Sequence, residues 1–209
     1  MSVLPHSVPR TPYFPMVQTP ARLYTPEEYL ELETQADDKS EYRDGEIVPM
    51  TGVTTNHNQL AGNFYAHLLF ALRSQGYRVY MSDVRLWIPT YRQYTYPDVM
   101  AIQGQPLYAD TSRTTVTNPL LIAEVLSKST QNYDQGEKFL YYRSIPELQE
   151  YILIDQQQYH AMQHTKTETG QWLLTEYWGA EAVLTLKALT FEIALTDLYE
   201  GVDFNNVEP

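Results

Sequence analysis

The chain has 209 residues, 43% hydrophobic and 13% aromatic, enough to bury one substantial core. It has no cysteine, which excludes disulfides, thiolate metal sites and a cysteine nucleophile. A formal net charge of −12 counts against a surface built as a whole to hold nucleic acid, and leaves room only for a locally basic cleft or for bound metal ions.

No run approaches the roughly 18 consecutive apolar residues of a membrane span, and the N-terminus lacks a signal-peptide pattern, so a soluble, cytoplasmic protein is expected. Residues 1–22 carry five prolines and little apolar periodicity, and read as an arm ahead of one globular domain over 23–205. Order begins at Thr25-Pro26-Glu27-Glu28, a capping box with proline at the first helical position, which predicts a helix to about Glu33. Ser40 to Arg43 and Glu46 to Met50 flank Asp44-Gly45, a strong hairpin signal that puts Glu41 on a strand beside a tight turn. Leu60, Phe64, Leu68 and Leu72 recur every four positions, predicting a long amphipathic helix over about 56–74 with Gly76 as its C-cap.

Strands are then expected at Tyr80 to Ile88, Tyr94 to Ile102 and Leu120 to Leu126, the last nearly all apolar and therefore central in the sheet. A helix from Asn132 to Arg143 and a strand from Leu148 to Ile154 complete a strand, helix, strand crossover. Beyond Asp155, four short antiparallel strands and a helical turn near Leu195 to Tyr199 are predicted. The fold class is α/β or α+β, around a central mixed sheet flanked by helices.

Two residues break these apolar strands. Glu124 is the single charged side chain in Leu120 to Leu126, and burying it costs several kcal/mol, roughly, unless it meets an Arg or Lys partner or a metal. Asp98 interrupts its strand directly after Pro97, which cannot donate to a ladder and so marks a strand start, an edge or a bulge. Two carboxylates on neighbouring strands repel unless a proton or a metal lies between them, and hard oxygen ligands suit Mg²⁺ or Mn²⁺. Glu41, from the hairpin, offers a third carboxylate for one or two ions. On local pattern alone it also fits an ordinary surface strand.

The ordered set Ser40-Glu41-Tyr42-Arg43-Asp44-Gly45-Glu46, His57, Tyr96-Pro97-Asp98-Val99 and Glu124-Val125-Leu126-Ser127-Lys128-Ser129-Thr130 resembles the Uma-two family of restriction-endonuclease-like proteins, common in cyanobacteria. The likeness continues through Asp134, Lys138 and Tyr142 to Glu150-Tyr151-Ile152-Leu153-Ile154-Asp155, and spans about residues 24–200. That family is similar to the PD-(D/E)XK nucleases. The resemblance implies a Mg²⁺- or Mn²⁺-dependent endonuclease acting on nucleic acid, DNA first, with Asp98 and Glu124 at the motif's acidic positions. The motif's lysine would fall two residues after Glu124, where this chain has Leu126.

Lys138, two turns into the following helix, is the favoured replacement over Lys128, because its stem can reach the strand's charged end along apolar surface. Asp134 lies one turn before Lys138 and can orient it. The catalytic set is then Glu41, Asp98, Glu124 and Lys138, with Glu41, Asp98, Glu124 and the Val125 carbonyl as metal ligands. His57 at a helix start, Ser127 and Lys128 are candidates for contact with the substrate phosphate. Arg43, Arg85, Lys128 and Lys138 are expected to border the mouth of the acidic pocket. A homodimer would match the pseudo-symmetry of a duplex. A nuclease fold that only binds, and an RNase or mobile-element endonuclease, are the competing expectations.

Overall fold

The computed structural model describes residues 22–127 and 131–205, with Gln131 by its backbone alone, so the proline-rich arm lies outside the described residues except for Arg22. Helix α1 (Pro26–Gln35) starts at the expected capping box, in which the Thr25 side chain accepts from the Glu28 N–H and the Glu28 carboxylate accepts from the Thr25 N–H. Its buried Tyr29 packs with Tyr42 and Tyr94, and donates a 2.6 Å hydrogen bond to the Ser40 carbonyl. Strands β1 (Ser40–Arg43) and β2 (Glu46–Pro49) pair antiparallel through Asp44-Gly45, whose φ values of 43° and 110° are left-handed.

Each of the next two runs is two strands rather than one. Tyr80 to Ile88 splits into β3 (Tyr77–Met81) and β4 (Arg85–Ile88), and Tyr94 to Ile102 into β5 (Gln93–Thr95) and β6 (Val99–Gln103). The cause is local: Ser82 turns with φ 51°, and its N–H donates to the carbonyls of Pro97 and Asp98 at 3.2 and 3.1 Å. The two breaks therefore bind each other, and the halves of each run go to different sheets. With the β1–β2 hairpin and β7 (Thr115–Val116), a short strand that the sequence pattern does not reveal, one half-set, β4 and β5, forms a five-stranded sheet in the order β2-β1-β5-β4-β7.

The other half-set, β3 and β6, joins β8 (Leu121–Leu126), β9 (Glu150–Asp155), β10 (His160–Lys166) and β11 (Trp172–Trp178) in the central mixed sheet, of order β11-β10-β9-β8-β6-β3. Strand β8 (Leu121–Leu126) is buried throughout, antiparallel to β6 on one side and parallel to β9 (Glu150–Asp155) on the other. A parallel neighbour requires a crossover. Here it contains α3 (Gln131–Tyr133), a π-helical turn (Asp134–Lys138) and α4 (Phe139–Tyr142). Strands β10 (His160–Lys166) and β11 (Trp172–Trp178) extend the sheet antiparallel.

Both faces of the central sheet are covered. Helix α2 (Thr55–Ala71) lays Leu60, Phe64 and Leu68 on Val99, Ala123, Val125, Ile152 and Ile154, and α5 (Leu195–Leu198), with the ribbon of β12 (Val183–Thr185) and β13 (Glu192–Ala194), closes the same side. On the opposite face Tyr142, Ile145 and Leu148 pack on Met100, Ile122 and Leu153. Helix α2 is capped by Leu72, whose N–H bonds the Leu68 carbonyl; Gly76, expected as the cap, instead turns at φ 80° into β3. The fold is α+β, a central mixed sheet flanked by helices. Among the described residues no helix is long and apolar enough to cross a membrane.

The β1–β2 turn sets the register of Glu41 and is a point at which a methyl group is costly. Gly45 has φ +110°, and a Cβ there would stand 3.1 Å from the Leu23 side chain. Gly45→Ala should lower stability by about 1–3 kcal/mol in urea unfolding. A loss below about 0.5 kcal/mol would contradict the strained-turn assignment.

Candidate active site

The carboxyl end of β8, the chain entering β6, the hairpin strand β1, the start of α2 and the π-helical turn meet around one pocket of about 440 Å³. Glu41, Asp98, Glu124 and Lys138 all line it, as do His57, Val125 and Ser127. Lys128 falls outside the described residues.

Glu124 projects from β8 toward the crossover. Its Oε1 lies 2.8 Å from Lys138 Nζ and accepts a 2.6 Å hydrogen bond from the Tyr142 hydroxyl. Burial first, and then the nearby Asp98 and Asp134 carboxylates, push the Glu124 carboxyl up to about 8 against the pull of Lys138. The same ammonium stands 3.5 Å from Asp134 Oδ1 and 3.9 Å from Glu41 Oε1. Burial alone would lower its pKa, but Glu124, Glu41 and Asp134 together raise it well above 10.5, so Lys138 is a charged side chain enclosed by three acids. The π-helical turn carries both Asp134 and Lys138, and such local widenings of a helix are frequent at functional sites.

Asp98 reaches the same pocket because the chain breaks at Pro97, immediately before β6 begins at Val99. The Val125 N–H donates to its Oδ2 at 2.8 Å, and His57 Nε2 lies 2.9 Å from its Oδ1. Burial pushes this carboxyl up, yet the His57 contact, the Val125 N–H and the Lys138 charge together hold it below its ordinary value. His57 is fixed in turn by its own N–H, which donates to the Thr54 hydroxyl at the start of α2. Its Nδ1 is the one buried side-chain polar atom among the described residues without a hydrogen-bond partner.

Glu41 faces the pocket from β1. The Thr95 hydroxyl donates to its Oε1, and Arg43 donates to its Oε2 through Nε at 3.2 Å and a terminal nitrogen at 2.7 Å. Burial raises the Glu41 carboxyl, but Lys138, Thr95 and Arg43 outweigh it and leave the group ionised below its usual range. The Arg43 guanidinium lies over the Tyr133 ring, 4.1 Å from its centroid.

Among the described residues, no three His, Asp or Glu side chains surround a common point as metal ligands would. The pair Asp98 and Glu124 does suit one hard cation. The Asp98 N–H lies 3.4 Å from Glu124 Oε2, which ties the two groups together and leaves oxygen lone pairs on both. Magnesium commonly uses one or two carboxylates and completes its shell with water and phosphate.

The structure also corrects the expected rim of cations. Arg43 and Lys138 line the pocket. Arg85 does not: it is buried, bonded to Thr115 and Tyr96, and stacked near Tyr29 and Tyr94, so its charge serves packing between α1 and the five-stranded sheet. Tyr142 and Thr95, which bind Glu124 and Glu41, were not among the expected site residues. Both sit in locally ordinary helix and strand patterns, and only their hydroxyls meeting a buried acid mark them.

Residues 26–196 match the Uma2 family, described as "Putative restriction endonuclease". A Synechocystis protein named uncharacterized protein sll1609 is 46% identical over 167 residues, which are 80% of this chain and 94% of that protein. A second from the same organism, uncharacterized protein slr1290, is 32% identical over 180 residues, 86% of this chain and 93% of its own. A crystal structure from Anabaena variabilis, described as a putative nuclease belonging to DUF820, superposes with a TM-score of 0.70 at 16% identity, over 84% of this chain and 97% of that one.

Glu124 should leave a pH signature. Its folded pKa of about 8 lies above the ordinary value of 4.5, so the folded chain holds this proton more tightly than the unfolded chain. The stabilising contribution is complete below about 4.5 and is lost as pH rises through about 8. Glu41 and Asp98, held low, act in the opposite sense and lose their contributions on acidification. In metal-free protein, the stability of wild type minus that of Glu124→Gln should therefore fall between about pH 5 and pH 9 in urea unfolding. A difference that stays level or rises across that interval would contradict the assignment.

Proposed function

The chain belongs to the Uma2 family, and on that premise and the pocket's geometry we propose that it is a metal-dependent endonuclease. The substrate is nucleic acid, DNA first, and the cofactor is Mg²⁺ or Mn²⁺. The observation that carries this reading is the contact of Lys138 Nζ with Glu124 at 2.8 Å, beside Asp98, in one pocket. An acidic pair next to a fixed ammonium suits phosphodiester hydrolysis, in which negative charge grows on a phosphate already negative.

In the proposed mechanism Asp98, Glu124 and the Val125 carbonyl would hold the divalent ion. Held there, such an ion would supply Lewis-acid chemistry, activating water and offsetting negative charge on the phosphate. Lys138, held by Glu124 and Asp134, orients the attacking water and steadies the charge that develops on the phosphate. His57 is kept in place by Asp98 and Thr54 at the pocket wall, and with Ser127 and Lys128 is assigned to contacts with the substrate backbone. Arg43 supplies a further cation at the rim.

A surface of net charge −12 opposes a polyanion at long range, so binding must come from this local cation set and from the ion itself. We further assign the protein to the cytoplasm, and to a homodimer whose two sites would address both strands of a duplex.

The test is cleavage of supercoiled plasmid with Mn²⁺, alongside single-stranded DNA and RNA. Wild type should cut and Glu124→Ala should not. Lys138→Met, which keeps the stem and removes the charge, should slow cleavage by about 10²- to 10³-fold. Absence of Mn²⁺-dependent cleavage on every substrate would overturn the proposal. Cleavage confined to RNA would retain the mechanism and change the substrate.

A further inference from the structure

We propose that the pocket takes one divalent ion and not two, with the Lys138 ammonium standing where a second ion would sit and Glu41 acting as a positioning residue for that ammonium. The proposal rests on the divalent-ion reading above and specifies its stoichiometry and ligands.

An ionised carboxylate offers about four acceptor positions. On Glu41 three hydrogen bonds fill most of them, from Thr95 to Oε1 and from two nitrogens of Arg43 to Oε2, and the Lys138 ammonium stands 3.9 Å from Oε1. An ion ligated by Glu41 would have to displace Arg43 or Lys138 from a buried carboxylate, at the cost of leaving a desolvated charge behind.

Glu124 is divided between its two oxygens. Lys138 and Tyr142 fill Oε1, whereas on Oε2 the hydrogen bond described is the long one from the Asp98 N–H, at 3.4 Å. Asp98 accepts from the Val125 N–H and His57 and keeps the rest of its capacity. The open oxygen positions thus lie on the Asp98 side of Glu124, and the Glu41 side already holds a cation.

In two-ion phosphodiesterases the ions stand about 3.5–4 Å apart and share carboxylate ligands. Lys138 Nζ, at 2.8 Å from Glu124 and 3.9 Å from Glu41, takes the bridging place between those two acids. A second divalent ion would add two positive charges beside a buried ammonium and the Arg43 guanidinium, where repulsion is weakly screened.

The experiment is calorimetric titration of the metal-free full chain with Mn²⁺. The expected result is one ion per chain, a weakening of more than about 100-fold in Asp98→Asn, and no more than about a fivefold change in Glu41→Gln at unchanged stoichiometry. Lys138→Met, if it folds, should admit a second equivalent of Mn²⁺ by clearing the bridging place. Two ions of comparable affinity on wild type would overturn the proposal. So would a loss of affinity in Glu41→Gln as large as that in Asp98→Asn, and neither of these results needs the lysine variant. A wild-type chain that binds no Mn²⁺ would fail differently, by removing the divalent-ion reading itself.

Discussion

One buried ammonium organises this protein's pocket. Lys138 brings three acids within 4 Å, Glu124 from the central sheet, Asp134 from the π-helical turn and Glu41 from the second sheet. Taking an ammonium and a carboxylate out of water costs several kcal/mol each, roughly, and that cost is recovered only when the surrounding groups are held in place. The rest of the pocket supplies the holding. Tyr142 fixes Glu124, Thr95 and Arg43 fix Glu41, and Tyr151 bonds the Asp134 carbonyl at 3.1 Å. Loss of the ammonium would leave acids buried without a counter-charge, and they would take up protons or cations in its place.

The path of the chain brings these acids together. Pro97 ends the pairing of β5 and releases Asp98 ahead of β6, while Ser82 turns the partner run at the same level and caps the Pro97 and Asp98 carbonyls. The result is two sheets that diverge from one junction, with the pocket at the divergence. The parallel pairing of β8 with β9 then forces a crossover, and its helical part returns Lys138 over the end of β8. The ammonium beside Glu124 thus comes from the crossover, at Lys138, and not from β8 itself.

Much of this was legible in the sequence where a local pattern breaks. Glu124 stood out as one charge in an apolar strand, Asp98 as a carboxylate after a proline, and the α1 capping box and the Asp44-Gly45 turn were readable from their own residues. The approach of Lys138 to Glu124 followed from the family resemblance, whose motif lysine falls at Leu126, and from the reach of a helical stem. What escaped is non-local. The splitting of Tyr80 to Ile88 depends on a hydrogen bond from Ser82 to carbonyls fifteen or more residues away, and β7 is two residues held by β4 and by an antiparallel bridge from Val116 to Tyr108. Arg85 looked like a rim cation because exposure is not written in the residue type. The π-helical turn and the hydroxyls of Tyr142 and Thr95 gain meaning only from the acids they meet.

The central claim is that Lys138 is a charged ammonium locked among acids, and lysine side-chain NMR tests it most directly. With labelled lysine, one ammonium signal should exchange slowly with water, remain charged well above pH 10.5, and disappear in Lys138→Met. If Lys138 instead loses its charge in the same range as the exposed lysines, or exchanges as fast as they do, the pocket is not built around that cation and the account fails.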